Sequence, residues 1–133
     1  MKSKDLDIEK IVNYCIGSSE SNYSTMHNLY RSKDYDWALF VGHLVLEKLM
    51  KALYVKLLKM HPPYIHDLLR LADKMSLEVT PEQEEWLDTI TTFNINARYD
   101  NYKLNFTKLC TKEFADIWMP RIESLRKWIK NQL

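Results

Sequence analysis

Residues 35–60 carry apolar side chains at the three- and four-residue spacing of an amphipathic helix. One broad arc, which we expect to face the core, consists of Ala38, Leu39, Gly42, Val45, Leu46, Leu49, Leu53, Leu57 and Met60. A second, narrower apolar set consists of Trp37, Val41, Leu44, Ala52 and Val55. A helix with two apolar faces lies at the centre of its bundle, or lies there and also forms a subunit contact. The pattern therefore predicts a helical bundle built around this segment.

Four other helical segments flank this helix, and no convincing strand accompanies them. They cover residues 6–31, 66–75, 81–98 and the stretch that opens after Thr111. The Pro62-Pro63 pair must end the second helix, because proline removes a backbone donor and clashes with the preceding turn. Pro120 lies inside the last helix, where the apolar spacing continues across it, so we expect a kink there.

Two helix starts have capping signals. Thr80 and Gln83 have the spacing of a capping box, with proline at the first helical position between them. Asp34 directly precedes the second helix and is placed to cap it. These signals fix where the second and fourth helices begin.

Residues 100–110 predict an extended connector. Tyr102, Leu104 and Phe106 alternate with polar residues there, as in a strand. A lone strand would have no partner for its backbone groups, so we expect a connector and not part of a sheet.

Composition agrees with one compact helical domain over residues 1–133. The chain has 46% hydrophobic and 28% charged residues and only two glycines, where strand-rich folds need more turn residues. The net charge of +1 gives no global attraction to nucleic acid or anionic membranes, so such binding would need a local patch.

Cys15 and Cys110 are far apart in sequence, which favours buried free thiols in a reducing cytoplasm. No segment approaches the roughly 20 apolar residues of a membrane span, so we expect a cytoplasmic all-α, up-and-down bundle of about five helices.

One polar column lies on the second helix. His43, Glu47 and Lys51 stand four residues apart, so their side chains can touch in order. The simpler interpretation is an ordinary Glu47–Lys51 surface pair. His43 and Glu47 also have the spacing of a metal-ligand pair, but no third ligand stands nearby in sequence. We therefore predict no metal site and no cofactor.

A series of short motifs runs from the second helix to the end of the fourth. They are Asp36-Trp37-Ala38, Glu47-Lys48, Lys51-Ala52-Leu53, Pro62-Pro63, His66-Asp67-Leu68-Leu69 and Ala97-Arg98-Tyr99-Asp100. In these motifs the chain resembles the HEPN domain, a helical module named for higher eukaryotes and prokaryotes nucleotide-binding. The resemblance implies a homodimeric bundle in which the His43, Glu47 and Lys51 column lines the groove where Arg98 arrives. It also implies a nucleotide or a cognate minor nucleotidyltransferase as partner, in a toxin–antitoxin-like pair.

Arg98 bears on whether the chain is an enzyme. HEPN ribonucleases resemble one another in an arginine followed, after four to six residues, by a histidine. No histidine follows Arg98 here; Asp100 and Lys103 are the nearest charged residues, and lysine is a poor general base near neutral pH. The absence favours a non-catalytic module in which Arg98, Asp100 and Lys103 contact the ligand. One alternative is an unconventional HEPN ribonuclease, a toxin acting on RNA through Arg98 and Asp100. The other is structural: Arg98 pairs with an acidic residue such as Glu47 at the subunit interface.

The His66-Asp67 pair has two interpretations. Asp67 in the first turn would complement the helix dipole, and His66 at the end of the proline loop would fix that loop by a hydrogen bond. In HEPN-like chains such a pair recurs at this point. We interpret it as a signature of the fold and not as a catalytic pair.

Overall fold

The computed structural model describes residues 7–133, and that part of the chain contains six helices and no strand. Their bounds are α1 Ile8–Arg31, α2 Tyr35–Leu58, α3 Leu68–Lys74, α4 Pro81–Arg98, α5 Asp100–Leu109 and α6 Lys112–Lys130. The all-α bundle predicted from the sequence is confirmed. The predicted start of the first helix at Leu6 lies outside the described residues.

Helix α2 is the centre of the bundle and packs against each of the other five helices. Most of its broad apolar arc is buried, as the sequence predicted. Leu57 and Met60 are the exceptions and are exposed, because α2 ends at Leu58 and Lys59 takes a left-handed conformation with φ 57°. The helix therefore ends two residues earlier than predicted, and Leu57 in its last turn and Met60 beyond it lie outside the core.

The second apolar set on α2 is largely buried within the same chain. Val41, Ala52 and Val55 are buried, Leu44 is half-buried and Trp37 is exposed. Central placement therefore accounts for most of this set without a subunit contact.

Gly42 lies where α2 meets α1 and α6. A Cβ atom at this position would lie 2.6 Å from Cδ1 of Ile122 and 3.2 Å from Sδ of Met26. Glycine is therefore needed here for close packing of side chains from two neighbouring helices.

Residues 100–110 are helical, so the predicted extended connector was wrong and the bundle has one helix more than predicted. Helix α5 buries Phe106 against Phe93, with 5.6 Å between the ring centroids, and leaves Tyr102 and Leu104 exposed. The three residues therefore do not share one face. A helix satisfies its backbone groups internally, whereas a lone strand would leave them unpaired. This requirement outweighs a short alternating pattern.

The capping predictions had different outcomes. The capping box at the start of α4 is confirmed: Oγ1 of Thr80 accepts from the Gln83 amide at 3.0 Å, and the Gln83 side chain accepts from the Thr80 amide at 3.0 Å. Asp34 occupies the N-cap position of α2, but its side chain accepts from Oγ of Ser32 and caps no helix amide. Pro120 lies within one uninterrupted α6, so the helix does not break there, and the kink stays a prediction.

Both cysteines are free thiols. Burial, followed by the charge of Asp36, raises the pKa of Cys110 to about 12. Burial also raises the pKa of the half-buried Cys15. A thiol that stays protonated is a weak nucleophile, and Cys110 is part of the buried core. No helix within residues 7–133 is long and apolar enough to cross a membrane.

Candidate functional site

Glu47 is a buried carboxylate on α2 that receives two strong hydrogen bonds. Nζ of Lys51 donates to its Oε2 at 2.9 Å, and Nδ1 of His66 donates to its Oε1 at 2.9 Å. Burial alone would raise the pKa of Glu47, but these two donors outweigh burial and hold the pKa below its usual value. Glu47 is therefore a fixed negative charge between a lysine and a histidine.

His43 supports the same arrangement from one turn earlier on α2. It is fully buried, and its Nε2 donates to the carbonyl oxygen of His66 at 2.8 Å. Burial lowers the pKa of His43, so the ring is neutral and its Nδ1 carries a lone pair. That Nδ1 lies 3.7 Å from Oε1 of Glu47 and has no hydrogen-bond partner. His43 thus fixes the backbone of His66, while Glu47 fixes its ring.

The proline loop leads directly into α3, whose first turn is capped by one side chain and held against α4 by another. Oδ1 of Asp67 accepts from the Arg70 amide at 3.2 Å and caps α3. Oγ1 of Thr91 on α4 accepts from the Leu68 amide at 3.0 Å and donates to the Leu87 carbonyl at 2.8 Å. The Thr91 contact holds the first turn of α3 beside the last turns of α4.

A cleft of about 310 Å³ lies between these two helix ends, and we call it the Arg98 cleft. Its walls are His66, Asp67, Thr91, Asn94, Ile95, Arg98 and Tyr99. Nη1 of Arg98 donates to Oδ1 of Asn94 at 3.3 Å, so the guanidinium is held at the wall. Among residues 7–133 no carboxylate lies within 4.0 Å of this exposed guanidinium, so no ion pair within that part of the chain neutralises its charge. A planar cation with open donors is suited to binding phosphate.

The residues predicted as ligand contacts have different positions in the structure. Arg98 lines the cleft, whereas Glu47 and His43 are not part of its wall and contact one wall residue, His66. Lys51 lines a neighbouring cavity formed by the proline loop. Asp100 is exposed in the first turn of α5 and is not part of the cleft wall. The five residues therefore do not form one ligand-contact surface.

Lys103 is directed toward a different neighbour. Its Nζ lies 5.7 Å from the ring centroid of Trp37, a cation–π contact between α5 and α2. Within the described residues, no three histidine, cysteine, aspartate or glutamate side chains are grouped to hold a metal ion.

Six cleft residues were not among the predicted ligand contacts: His66, Asp67, Thr91, Asn94, Ile95 and Tyr99. His66 had been interpreted as part of a fold signature, and its contact with Glu47 does fix the loop. Asn94 lies four residues before Arg98, which is the helical spacing for a side-chain contact and was a usable signal. Thr91 gave no such signal, because its partner Leu68 lies on another helix.

Comparison with known proteins agrees with the architecture. A crystal structure of TT1696 from Thermus thermophilus superimposes with a TM-score of 0.78 at 16% sequence identity. The match covers 92% of this chain and 98% of that one, so the two share a fold. No protein of curated function matches the chain. The model of the HEPN domain family matches residues 12–132, nearly the whole of the chain. The chain therefore belongs to the HEPN domain family.

Proposed function

We propose that this HEPN domain binds a phosphate-bearing ligand, a nucleotide or an RNA strand, in the Arg98 cleft. The observation that carries the proposal is the guanidinium of Arg98, anchored on Asn94 and without an acidic partner in the described chain. The volume of about 310 Å³ lies at the small end of ligand sites, which suits one nucleotide unit. The proposal places the protein in the cytoplasm, where nucleotides and RNA are found.

The proposed partner protein is a cognate minor nucleotidyltransferase, in a toxin–antitoxin-like pair. The HEPN resemblance supports this partner. The exposed ring of Tyr99 beside the cleft offers a contact for such a protein. Co-purification of the two proteins from one operon is the expected result.

The proposed assembly is a homodimer through α2 and α4. Support comes from exposed apolar side chains on these two helices, Trp37 on α2 and Ile95 on α4. A charged side chain in place of exposed Ile95 should disrupt the dimer contact and leave the core intact. A charged side chain in place of Val41 would be placed in the core, because Val41 is buried. We expect light scattering to give a dimer for the unaltered protein and a monomer for Ile95→Asp. A monomer for the unaltered protein at tens of micromolar, on the order of a weak-dimer threshold, would contradict the assembly.

The binding proposal is tested by Arg98→Ala with Arg70→Ala as a matched control. Arg70 is an exposed arginine on neighbouring α3 and is not part of the cleft wall. We expect fluorescence anisotropy with a short labelled single-stranded RNA, and calorimetry with AMP, to show weaker binding for Arg98→Ala only. Loss of a bidentate phosphate contact costs roughly 1.5–3 kcal/mol, about 10- to 150-fold in affinity. Equal affinity of both variants, or no binding by the unaltered protein, would contradict the proposal.

The alternative function, a ribonuclease acting through Arg98 and Asp100, has less support than phosphate binding. Asp100 is exposed at the start of α5 and outside the wall of the cleft. Any catalysis in this cleft would need a different proton acceptor.

A further inference from the structure

A groove of about 810 Å³ lies along α6, and we call it the α6 groove. It shares no wall residue with the Arg98 cleft, and its volume lies within the range of small-molecule sites, about 300–1,000 Å³. Met119, Pro120 and the half-buried Trp128 form an apolar wall, where the indole can pack against another ring. Glu123 and Lys127 also line the groove. An apolar surface therefore lies next to an acid and a base.

The Glu123 carboxylate is bound by two donors from α1. The hydroxyl of Tyr23 donates to its Oε1 at 2.9 Å, and Nε2 of His27 donates to its Oε2 at 2.9 Å. Each carboxylate oxygen has two lone pairs, so neither oxygen is saturated by a single donor. The side chain of Glu123 is 34% exposed and lines the groove, so a ligand there can reach the carboxylate. Glu123 can therefore accept a further hydrogen bond from a ligand.

Lys127 is a cation without an acidic partner in the described chain. It stands four residues after Glu123, which is the helical spacing at which an acid and a base normally pair. No carboxylate among residues 7–133 lies within 4.0 Å of its Nζ. The neighbouring bases differ, because Arg126 and Lys130 both pair with Glu20, at 3.1 and 2.7 Å. Since Lys127 is exposed, its ammonium group is open to an anionic ligand.

Glu123 and Lys127 thus place opposite charges on one groove wall, with more than 4.0 Å between their charged atoms. A ligand that carries both charges can bridge this gap, because its ammonium group donates to the carboxylate and its own carboxylate accepts from the lysine. A ligand with one charge satisfies one group and meets like charge at the other. An α-amino acid carries both charged groups on a single carbon atom, and an aromatic side chain suits the apolar wall.

We propose that the α6 groove binds a free aromatic amino acid in its zwitterionic form. The ammonium group of the ligand contacts Glu123, its carboxylate contacts Lys127, and its ring packs beside Trp128. A nucleotide or RNA strand lacks the ammonium group, and its phosphate would be repelled by Glu123. This site is therefore distinct from the phosphate site and does not depend on it.

Calorimetry and NMR titration with L-phenylalanine test the proposal, with three related compounds as ligand controls. The first, 3-phenylpropionate, lacks the ammonium group, 2-phenylethylamine lacks the carboxylate, and L-alanine lacks the ring. We expect L-phenylalanine to bind and to shift the indole N–H resonance of Trp128. Each control compound should bind at least about tenfold more weakly, because it loses one charged contact or the apolar contact.

Two protein variants locate the site, with a third as matched control. Lys127→Met keeps the length of the side chain and removes its charge, so L-phenylalanine should bind about tenfold more weakly. Ser124→Phe places a ring in the groove from an exposed wall position and should abolish binding. The control is Lys108→Met, which removes an exposed lysine on α5 outside the groove and should leave the affinity unchanged. Circular dichroism checks that each variant is folded.

Three outcomes would overturn the proposal. The first is no binding of L-phenylalanine by the unaltered protein at millimolar concentration. The second is binding of 3-phenylpropionate or 2-phenylethylamine as tight as that of L-phenylalanine, which would show that the paired charges are not read. The third is equal affinity of the folded Lys127→Met and Lys108→Met variants for L-phenylalanine.

Discussion

At the scale of single residues, Glu47 determines the character of the site. Its carboxylate is buried and receives donors from one residue on its own helix, Lys51, and one in the proline loop, His66. Leaving a buried charge without its donors costs several kcal/mol, roughly 3–5 when one partner of a buried pair is removed. The hydrogen bond between Glu47 and His66 therefore ties the proline loop to α2 and sets the orientation of the His66 ring.

Only half of this cluster could be predicted from the sequence. The Glu47–Lys51 contact follows from helical spacing and was predicted, although as a surface pair. The Glu47–His66 contact joins residues 19 positions apart, and it depends on the path of the proline loop. Nothing in local spacing determines that path.

His43 makes the stability of the fold dependent on pH. Burial lowers its pKa below the ordinary 6.5, so the unfolded chain binds a proton there at a higher pH than the folded chain does. We therefore expect the free energy of unfolding to fall as pH drops through about 6.5. The lowered pKa of Glu47 adds a further loss only below its ordinary 4.5.

Urea denaturation between about pH 7.5 and 5.5 measures the His43 effect. In His43→Gln the side-chain amide can still donate to the His66 carbonyl but does not titrate, so its stability should vary less over this range. An equally steep pH dependence in the variant would show that another group is responsible.

At the scale of elements, α5 shows the limit of short-range patterns. Three alternating apolar residues are compatible with a strand, and they are also compatible with a helix that buries only one of them. Packing decides between the two, because Phe106 meets Phe93 on α4, with the ring of Phe93 also 5.6 Å from Trp118. The long helices were predictable because their apolar spacing repeats over several turns.

Two alanine variants distinguish the helix from the connector. In a helical α5, Phe106→Ala should destabilise the protein by roughly 3–5 kcal/mol, because it leaves a cavity in the core. Leu104→Ala should change stability by no more than about 0.5 kcal/mol, because Leu104 is 65% exposed. The measurement is the denaturation midpoint of each variant. A similar loss of stability in both variants would instead favour an extended segment with both side chains on one face.

At the scale of the whole molecule, the bundle was predictable and the cleft was not. Helix-forming patterns and short loops specify the all-α fold around α2. The Arg98 cleft arises only where the first turn of α3 docks on the last turns of α4, through contacts such as that of Thr91 with the Leu68 amide. Arg98 itself was predicted as a ligand contact, whereas the residues that surround it depend on this docking.

The central claim is that phosphate binds in the Arg98 cleft, and NMR titration of the isotope-labelled protein with AMP tests it most directly. We expect the largest changes in amide chemical shift at His66, Thr91 and Arg98, and none there for adenosine, which lacks the phosphate. The bundle also has a larger groove of about 810 Å³ beside Trp128 on α6. Shifts concentrated around Trp128, with the Arg98 cleft unaffected, would contradict the account.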